Sequence, residues 1–360
     1  MTRGLISLGS RSLVYLFAFF PLFYLAYKFH VPDFGGNDYF RYYEMYLHPL
    51  DLRATQEPWV LRQVQALIVN ALYQLGADYE TEIAFDRAGY DRSIFFSALV
   101  VNSLSVVLSA ALLGRFMERR AGKADLVSWG LPVVMGFNFS LVFFAFSGLT
   151  EGLSLLMFTV AYLGYRAGHF RTTSLVVLVA AFQRELIPLI LLGLVAVDLL
   201  RPGAQSARQA RLGVLVCATI SLATNVALRL ILSGGAQTSR VSPTALIEAL
   251  SGLSPPDRAF IFQVVLTQNF AFIVALAWIM FRLATGRAPR TGGTSVIDFG
   301  VTFALVLVAG LAAEVGNNIG RLLIFCSPSL ALILARITRD WASVQNGISS
   351  QDPPASGSSG

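Results

Sequence analysis

Apolar runs close to twenty residues long recur along the chain, and no other feature constrains the fold as tightly. About 20 predominantly apolar residues let a helix cross the hydrocarbon of a bilayer. Such runs fall at about 12–29, 93–114, 126–146, 148–165, 212–232, 259–281, 297–313 and 322–338. Hydrophobic residues make up 55% of the chain, charged ones only 13%, and mean hydropathy is +0.63. One soluble core of 360 residues cannot hide that much apolar surface. The expected fold class is all-α: a polytopic transmembrane helical bundle with about ten membrane-embedded segments.

Two segments decide how the runs thread. From Glu57-Pro58-Trp59 to Leu75 the large side chains fall at Val60, Leu61, Val64, Leu67, Ile68, Leu72 and Leu75, a helical stripe with Arg62, Gln63, Asn70 and Gln74 elsewhere on the wheel. That pattern predicts an amphipathic helix lying in the interface, within a first outer loop over 30–92. The apolar stretch 172–200 is broken by Gln183-Arg184-Glu185 and then Pro188. A central arginine costs a lone span about 2.5–3.5 kcal/mol on an insertion scale. A hairpin of two short helices, 172–183 and 186–200, moves those charges to the outer surface.

Arg3 and Arg11 precede the first span, and Leu25-Ala26-Tyr27-Lys28 offers no small-x-small cleavage site, so that span reads as an uncleaved anchor with its amino terminus in the cytoplasm. With both termini inside, cytoplasmic segments carry 16 Lys/Arg against 6 Asp/Glu and outer ones 11 against 15. The basic pI near 9.5 follows from that bias without nucleic acid as a partner. Cys217 and Cys326 lie in apolar spans with no His or Cys nearby, so neither a disulfide framework nor a metal cluster is readable. Residues 1–341 form one transmembrane domain; the polar 342–360 read as a disordered cytoplasmic tail. Arginine outnumbers lysine 25 to 2, as in GC-rich bacterial genomes, which places the chain in a bacterial inner membrane.

No phosphate-binding loop, dinucleotide fingerprint, HExxH, CxxC or nucleophile elbow occurs. The signal is instead where polar residues gather. On this topology Asp33, Asp38, Arg41 and Glu44 sit in the first outer loop, and Glu57 and Arg62 on the amphipathic helix. Thr150-Glu151, Gln183-Arg184-Glu185, and Glu314, Asn317, Asn318 and Arg321 join them at span ends on the same face. Each has a plain structural reading. Asp33 and Asp38 are loop residues, Tyr39, Tyr42, Tyr43 and Tyr46 an aromatic belt, Glu151 a helix-dipole partner, Arg184 and Glu185 a local pair, and Arg321 a snorkelling side chain. Independent accidents would scatter over both faces. Collected on one, the residues point to a shared polar cavity suited to an anionic headgroup with a greasy tail, since arginine binds phosphate oxygens bidentately and a carboxylate serves as general base.

At these residues the chain resembles the GT-C class of integral-membrane glycosyltransferases, which take polyprenyl-phosphate-linked sugars as donors. Gly35-Gly36-Asn37-Asp38-Tyr39-Phe40-Arg41 occupies the acidic position after the first span, and Glu57-Pro58-Trp59-Val60-Leu61-Arg62 opens the amphipathic helix. Phe146-Ser147-Gly148-Leu149-Thr150-Glu151-Gly152 is similar to a hairpin bearing a (Ser/Thr)-Glu pair. Leu178 to Glu185 is similar to that class's broken helix, and Asn317-Asn318-Ile319-Gly320-Arg321-Leu322 to Pro328 to an Asn-x-x-x-Arg pattern before the terminal span. Membrane polymerases of extracellular polysaccharides share the long outer loop and the final Arg-bearing span.

The resemblance implies inverting sugar transfer at the outer face from a lipid-linked donor to a glycan or lipid acceptor, among membrane lipids, with no cofactor. Asp33, Asp38 and Glu44 compete for the catalytic role, and Asp38 is taken as general base. Arg184 and Arg321 would hold the departing phosphate, while Glu44, Arg62, Glu151, Glu185 and Asn317 would bind sugar or acceptor. The first loop lacks an Asp-x-Asp pair, so no metal is assigned. The alternative from another class is a secondary transporter or flippase of an anionic or lipid-linked substrate, which predicts an interrupted segment in each of two related halves. Only one interruption is readable. A non-catalytic scaffold is the third reading.

Overall fold

A computed structural model describes residues 2–29, 38–55, 59–76, 91–138, 141–142, 148–200, 207–232, 261, 264–265, 267–268, 270–284, 293–314 and 319–349. The described residues are helical with no strand. In chain order the helices are α1 (Thr2–Phe29), α2 (Asp38–Leu47), α3 (Gln63–Leu75), α4 (Arg92–Ala121), α5 (Leu126–Gly136), α6 (Glu151–Ala167), α7 (Phe170–Val179), α8 (Leu186–Leu199), α9 (Arg208–Leu232), α10 (Ala271–Ala284), α11 (Gly293–Glu314), α12 (Ile319–Leu323) and α13 (Ser327–Ser349). Short 3₁₀ turns at Trp59–Leu61, Ala180–Phe182 and Ile324–Cys326 lead into or out of α3, α7 and α13. Four stretches are long and apolar enough to cross a bilayer: Leu8–Lys28, Arg92–Ala121, Arg208–Leu232 and Arg321–Ala342.

Their outward faces explain why. On α1, Tyr15, Phe19, Leu22 and Ala26 recur at helical spacing and are buried, whereas Leu13, Phe17, Phe20, Tyr24 and Leu25 are exposed. On α9, Val214, Ala218, Ser221 and Asn225 turn inward while Val216, Ile220, Val226 and Leu230 turn outward. The outward faces of these helices are apolar, which water would not tolerate and hydrocarbon would.

The centre is α4. Thirty residues at 1.5 Å each give it a length of about 45 Å, more than the hydrocarbon core, and it packs against α1, α3, α5 and α6. Asp91 caps its start by accepting from Ser93 N at 2.7 Å, and Gly122 ends it at φ 73°. Small residues along α4 let neighbours approach closely. A Cβ on Gly152 of α6 would stand 2.6 Å from Asn102 Oδ1 and 2.8 Å from Asn102 Cα. A second centre is α13, onto which α10 and α11 pack. Thr302 and Ser329 hydroxyls meet at 2.7 Å between α11 and α13.

Two helix ends and the face of one helix depart from expectation. The run 126–146 yields a helix that stops at Gly136, because Asn138 turns its side chain back, donating to Met135 O at 2.6 Å and accepting from Leu141 N at 2.8 Å. The last helix continues to Ser349, past the polar boundary at 341. The stripe on α3 is also oriented differently from its neighbours: Leu67, Ile68 and Leu75 are exposed, while Gln63, Gln65, Ala66 and Val69 face the protein. The helix thus points its polar edge inward.

Candidate functional site

Glu151 opens α6 and is fully buried. One of its oxygens, Oε1, accepts from Arg184 Nη1 at 3.1 Å and from Arg321 Nε at 2.6 Å. These arginines come from opposite parts of the chain. Arg184 stands in the break between α7 and α8, where Gln183 leaves helical geometry at φ −133°, and Arg321 stands on α12. The break leaves carbonyls without helical partners, and they are satisfied from outside: Asn225 of α9 donates to Ala181 O at 2.8 Å. That anchoring holds the Arg184 guanidinium over the Phe325 ring, 5.9 Å from its centroid.

A third guanidinium arrives from the amphipathic segment. Arg62 donates to the Tyr42 hydroxyl and, at 3.2 Å, to Thr150 Oγ1, and Arg321 Nη2 also reaches Tyr42 at 3.4 Å. Tyr42 and Tyr46 stack along the inner face of α2, their centroids 6.1 Å apart. Burial, reinforced by Tyr42 and the Glu151 carboxylate, raises the Tyr46 phenol well above its ordinary range, so it stays a donor and gives its proton to Gly148 O at 2.9 Å. Gly148 has φ 73°, and a Cβ there would collide with Phe95 and Tyr39 at 2.8–2.9 Å, so only glycine fits.

Neutral amides lock this arrangement from below. Gln65 Nε2 donates to Leu149 O at 2.7 Å, and Asn102 Nδ2 donates to the same carbonyl at 2.6 Å. Gln183 donates to Thr150 O at 3.2 Å and to Ser154 Oγ at 3.1 Å, while its carbonyl oxygen accepts from Gln65 N at 3.0 Å. Helices α3, α4, α6 and the α7–α8 break are therefore tied through the residues immediately before Glu151.

Electrostatically the cluster is unbalanced. Arg62, Arg184 and Arg321 surround one carboxylate, and all three act on Glu151. Arg184 and Arg321 bond the same oxygen, so their nitrogens lie at most about 6 Å apart, where two like charges repel by about 3 kcal/mol at an effective dielectric near 20. Glu185 also acts on Arg184 and Arg62, and Glu151 sets one negative charge against all three. Its second oxygen, Oε2, is buried without a hydrogen-bond partner. Guanidiniums so gathered have the chemistry to bond an anion.

Of the residues expected to gather, Arg62, Glu151, Arg184 and Arg321 do converge. Glu185 is adjacent but engaged elsewhere, with Arg229 of α9 at 3.0 Å. Glu44 stands on the exposed face of α2, turned away from Tyr42 and Tyr46, so the structure does not bring it to Glu151. Asp38 is the first residue of α2, with its side chain outside the described residues; Asn317 and Asp33 also lie outside them. Sequence reasoning passed over Asn102 and gave Tyr42 no contact. The signal for Asn102 was available, a carboxamide within an otherwise apolar run.

Neither a protein-family model, nor a curated protein, nor a solved structure shows significant similarity to this chain.

Proposed function

We propose that the protein is an integral-membrane glycosyltransferase of the GT-C kind, which moves a sugar from a polyprenyl-phosphate donor to an acceptor hydroxyl. The observation that carries this reading is the gathering of three guanidiniums, Arg62 and Arg184 buried and Arg321 part-buried, at the buried Glu151 carboxylate. A phosphate entering between Arg62, Arg184 and Arg321 would add negative charge beside three guanidiniums and receive charge-assisted bonds from them. The apolar outer faces of α1 and α9 suit a protein whose donor is itself dissolved in the bilayer.

In the proposed reaction the acceptor oxygen attacks the anomeric carbon and gives its proton to the Asp38 carboxylate. The bond from that carbon to the phosphate oxygen breaks with inversion, and the electron pair leaves on the phosphate. The arginines stabilise the charge that develops there, an effect worth several kcal/mol. Glu151 fixes Arg184 and Arg321 and, through its bare Oε2, is placed to accept from a sugar hydroxyl. The setting proposed is a bacterial inner membrane with both termini in the cytoplasm and the Glu151 end of the bundle outside.

The test is to delete the protein from its host, re-express variants and quantify surface glycans and lipid-linked sugars by mass spectrometry. Wild type is expected to restore the glycan and drain the accumulated donor. Asp38→Asn and Arg321→Gln, produced at normal level, are expected to leave donor accumulated. Normal glycan from Asp38→Asn would overturn the general-base assignment. Restoration of substrate movement across the membrane with no sugar transfer would replace the enzyme with a transporter.

A further inference from the structure

A second basic cavity lies at the other end of the bundle. Glu151 begins α6 and Arg166 ends it, so fifteen residues, or about 22 Å of helix, separate the two. Here a cavity of about 270 Å³ opens between α4, α6, α10, α11 and α13. Arg120, Arg166, Arg336 and Arg339 line it with only two carboxylates, Asp298 and Asp340.

With Asp298, Asp340 and Asp125 set against the four guanidiniums, these groups keep a net positive charge. Arg166, its side chain 4% exposed, pairs with Asp298, which also accepts from the buried Tyr162 hydroxyl. Arg339 spans both oxygens of Asp125, outside the cavity, at 3.0 and 3.2 Å. Arg120 lies over the Phe116 ring at 5.2 Å and donates to Arg166 O at 3.1 Å. The remaining wall is apolar, with Trp278 of α10 buried against it. On the same helix Phe281, 55% exposed and about one turn from Trp278, lies on the edge next to the cavity wall, while the exposed Leu276 and Met280 face the other way.

We propose that this cavity is a binding site for the phosphodiester of an anionic glycerophospholipid headgroup. Guanidiniums lining one cavity match a phosphate, the small volume matches a headgroup rather than a whole lipid, and the exposed Phe281 edge of α10 offers an apolar surface for acyl chains. Basic pockets between transmembrane helices take such headgroups because phosphate bonds several guanidiniums while its tails stay in hydrocarbon. A soluble phosphate has the same head chemistry but no use for the apolar face. The site is independent of sugar transfer and uses none of the residues around Glu151.

The test uses full-length protein in mild detergent. Native mass spectrometry and thermal unfolding are recorded with phosphatidylglycerol, with phosphatidylcholine and with inorganic phosphate. Wild type is expected to retain phosphatidylglycerol and to unfold at higher temperature with it than with phosphatidylcholine. Arg120→Gln/Arg336→Gln is expected to lower that affinity by about tenfold or more. Arg53→Gln, an exposed charge near the opposite end, is expected to leave it unchanged. If the double variant does not fold, Arg120→Gln alone, at the exposed rim, carries the comparison. Equal retention of the two lipids, or equal loss with Arg53→Gln, would overturn the site. Equal protection by inorganic phosphate would overturn the lipid as its ligand.

Discussion

Replacing Glu151 by glutamine asks whether its carboxylate is the sole counter-ion of the arginine cluster. Glutamine keeps the shape and one acceptor but removes the charge that Arg184 and Arg321 share at 3.1 and 2.6 Å. Removing one partner of a buried ion pair typically costs about 3–5 kcal/mol, because the other charge is stranded. Here two guanidiniums lose the carboxylate they share, so the upper part of that range is expected. Arg62→Gln has the opposite electrostatic sense. It forfeits charge-assisted hydrogen bonds to Tyr42 and Thr150, about 1.5–3 kcal/mol each, offset by relief of the repulsion that Arg62 exerts on Arg184. Denaturant unfolding in detergent, followed by tryptophan fluorescence, is expected to rank Glu151→Gln well below Arg62→Gln. Combining the two should cost less than the sum, by about 1–3 kcal/mol of coupling. Anion rescue follows from the same logic: millimolar pyrophosphate is expected to stabilise Glu151→Gln more than wild type. Equal costs for the two single variants, or strict additivity, would refute the picture of mutually repelling guanidiniums held by Glu151.

Three further outcomes test other parts of the structure. Gly152→Ala pushes a methyl into Asn102 Cα and is expected to destabilise by about 1–3 kcal/mol, lowering the thermal midpoint in detergent, whereas Gly130→Ala, with open space, should be neutral. Asn102→Leu leaves Leu149 O with one donor fewer and Gln65 with one acceptor fewer; a loss of about 1–3 kcal/mol is expected, and no change would show that Gln65 alone holds the turn before Glu151. Burial pushes Asp125 up, but the Arg339 guanidinium and the Ser128 N–H and hydroxyl hold it down to about 2. A depressed carboxylate stabilises the fold above its ordinary value of 3.8 and loses that contribution as pH falls through about 2. The difference in thermal midpoint between wild type and Asp125→Asn should therefore be flat above pH 5 and shrink between pH 4 and 2.

The boundary between what was legible and what was not follows length scale. Composition and the recurrence of apolar runs determined an all-helical chain with helices long enough to cross a bilayer, because hydrocarbon thickness and helix rise leave no other economical form. The break at Gln183 to Glu185 was equally legible, since charge and proline cannot continue an apolar helix. Even the membership of the arginine cluster was foreshadowed, in that Arg62, Glu151, Arg184 and Arg321 each interrupt an apolar surroundings at a cost.

Which of those residues touch was decided by tertiary structure alone. Glu44 and Tyr42 are two residues apart on one helix, and the rotation of α2 against α3 and α4 turns Tyr42 to the arginines and Glu44 outward. Glu185 neighbours Arg184 in the chain but bonds Arg229, because the break sends successive side chains in different directions. Arg166 and Asp298, 132 positions apart, meet at the far end through the packing of α6 against α11 and α13. A one-dimensional pattern sets how much charge a span must hide. Only the packing of one helix on another chooses the partner that hides it.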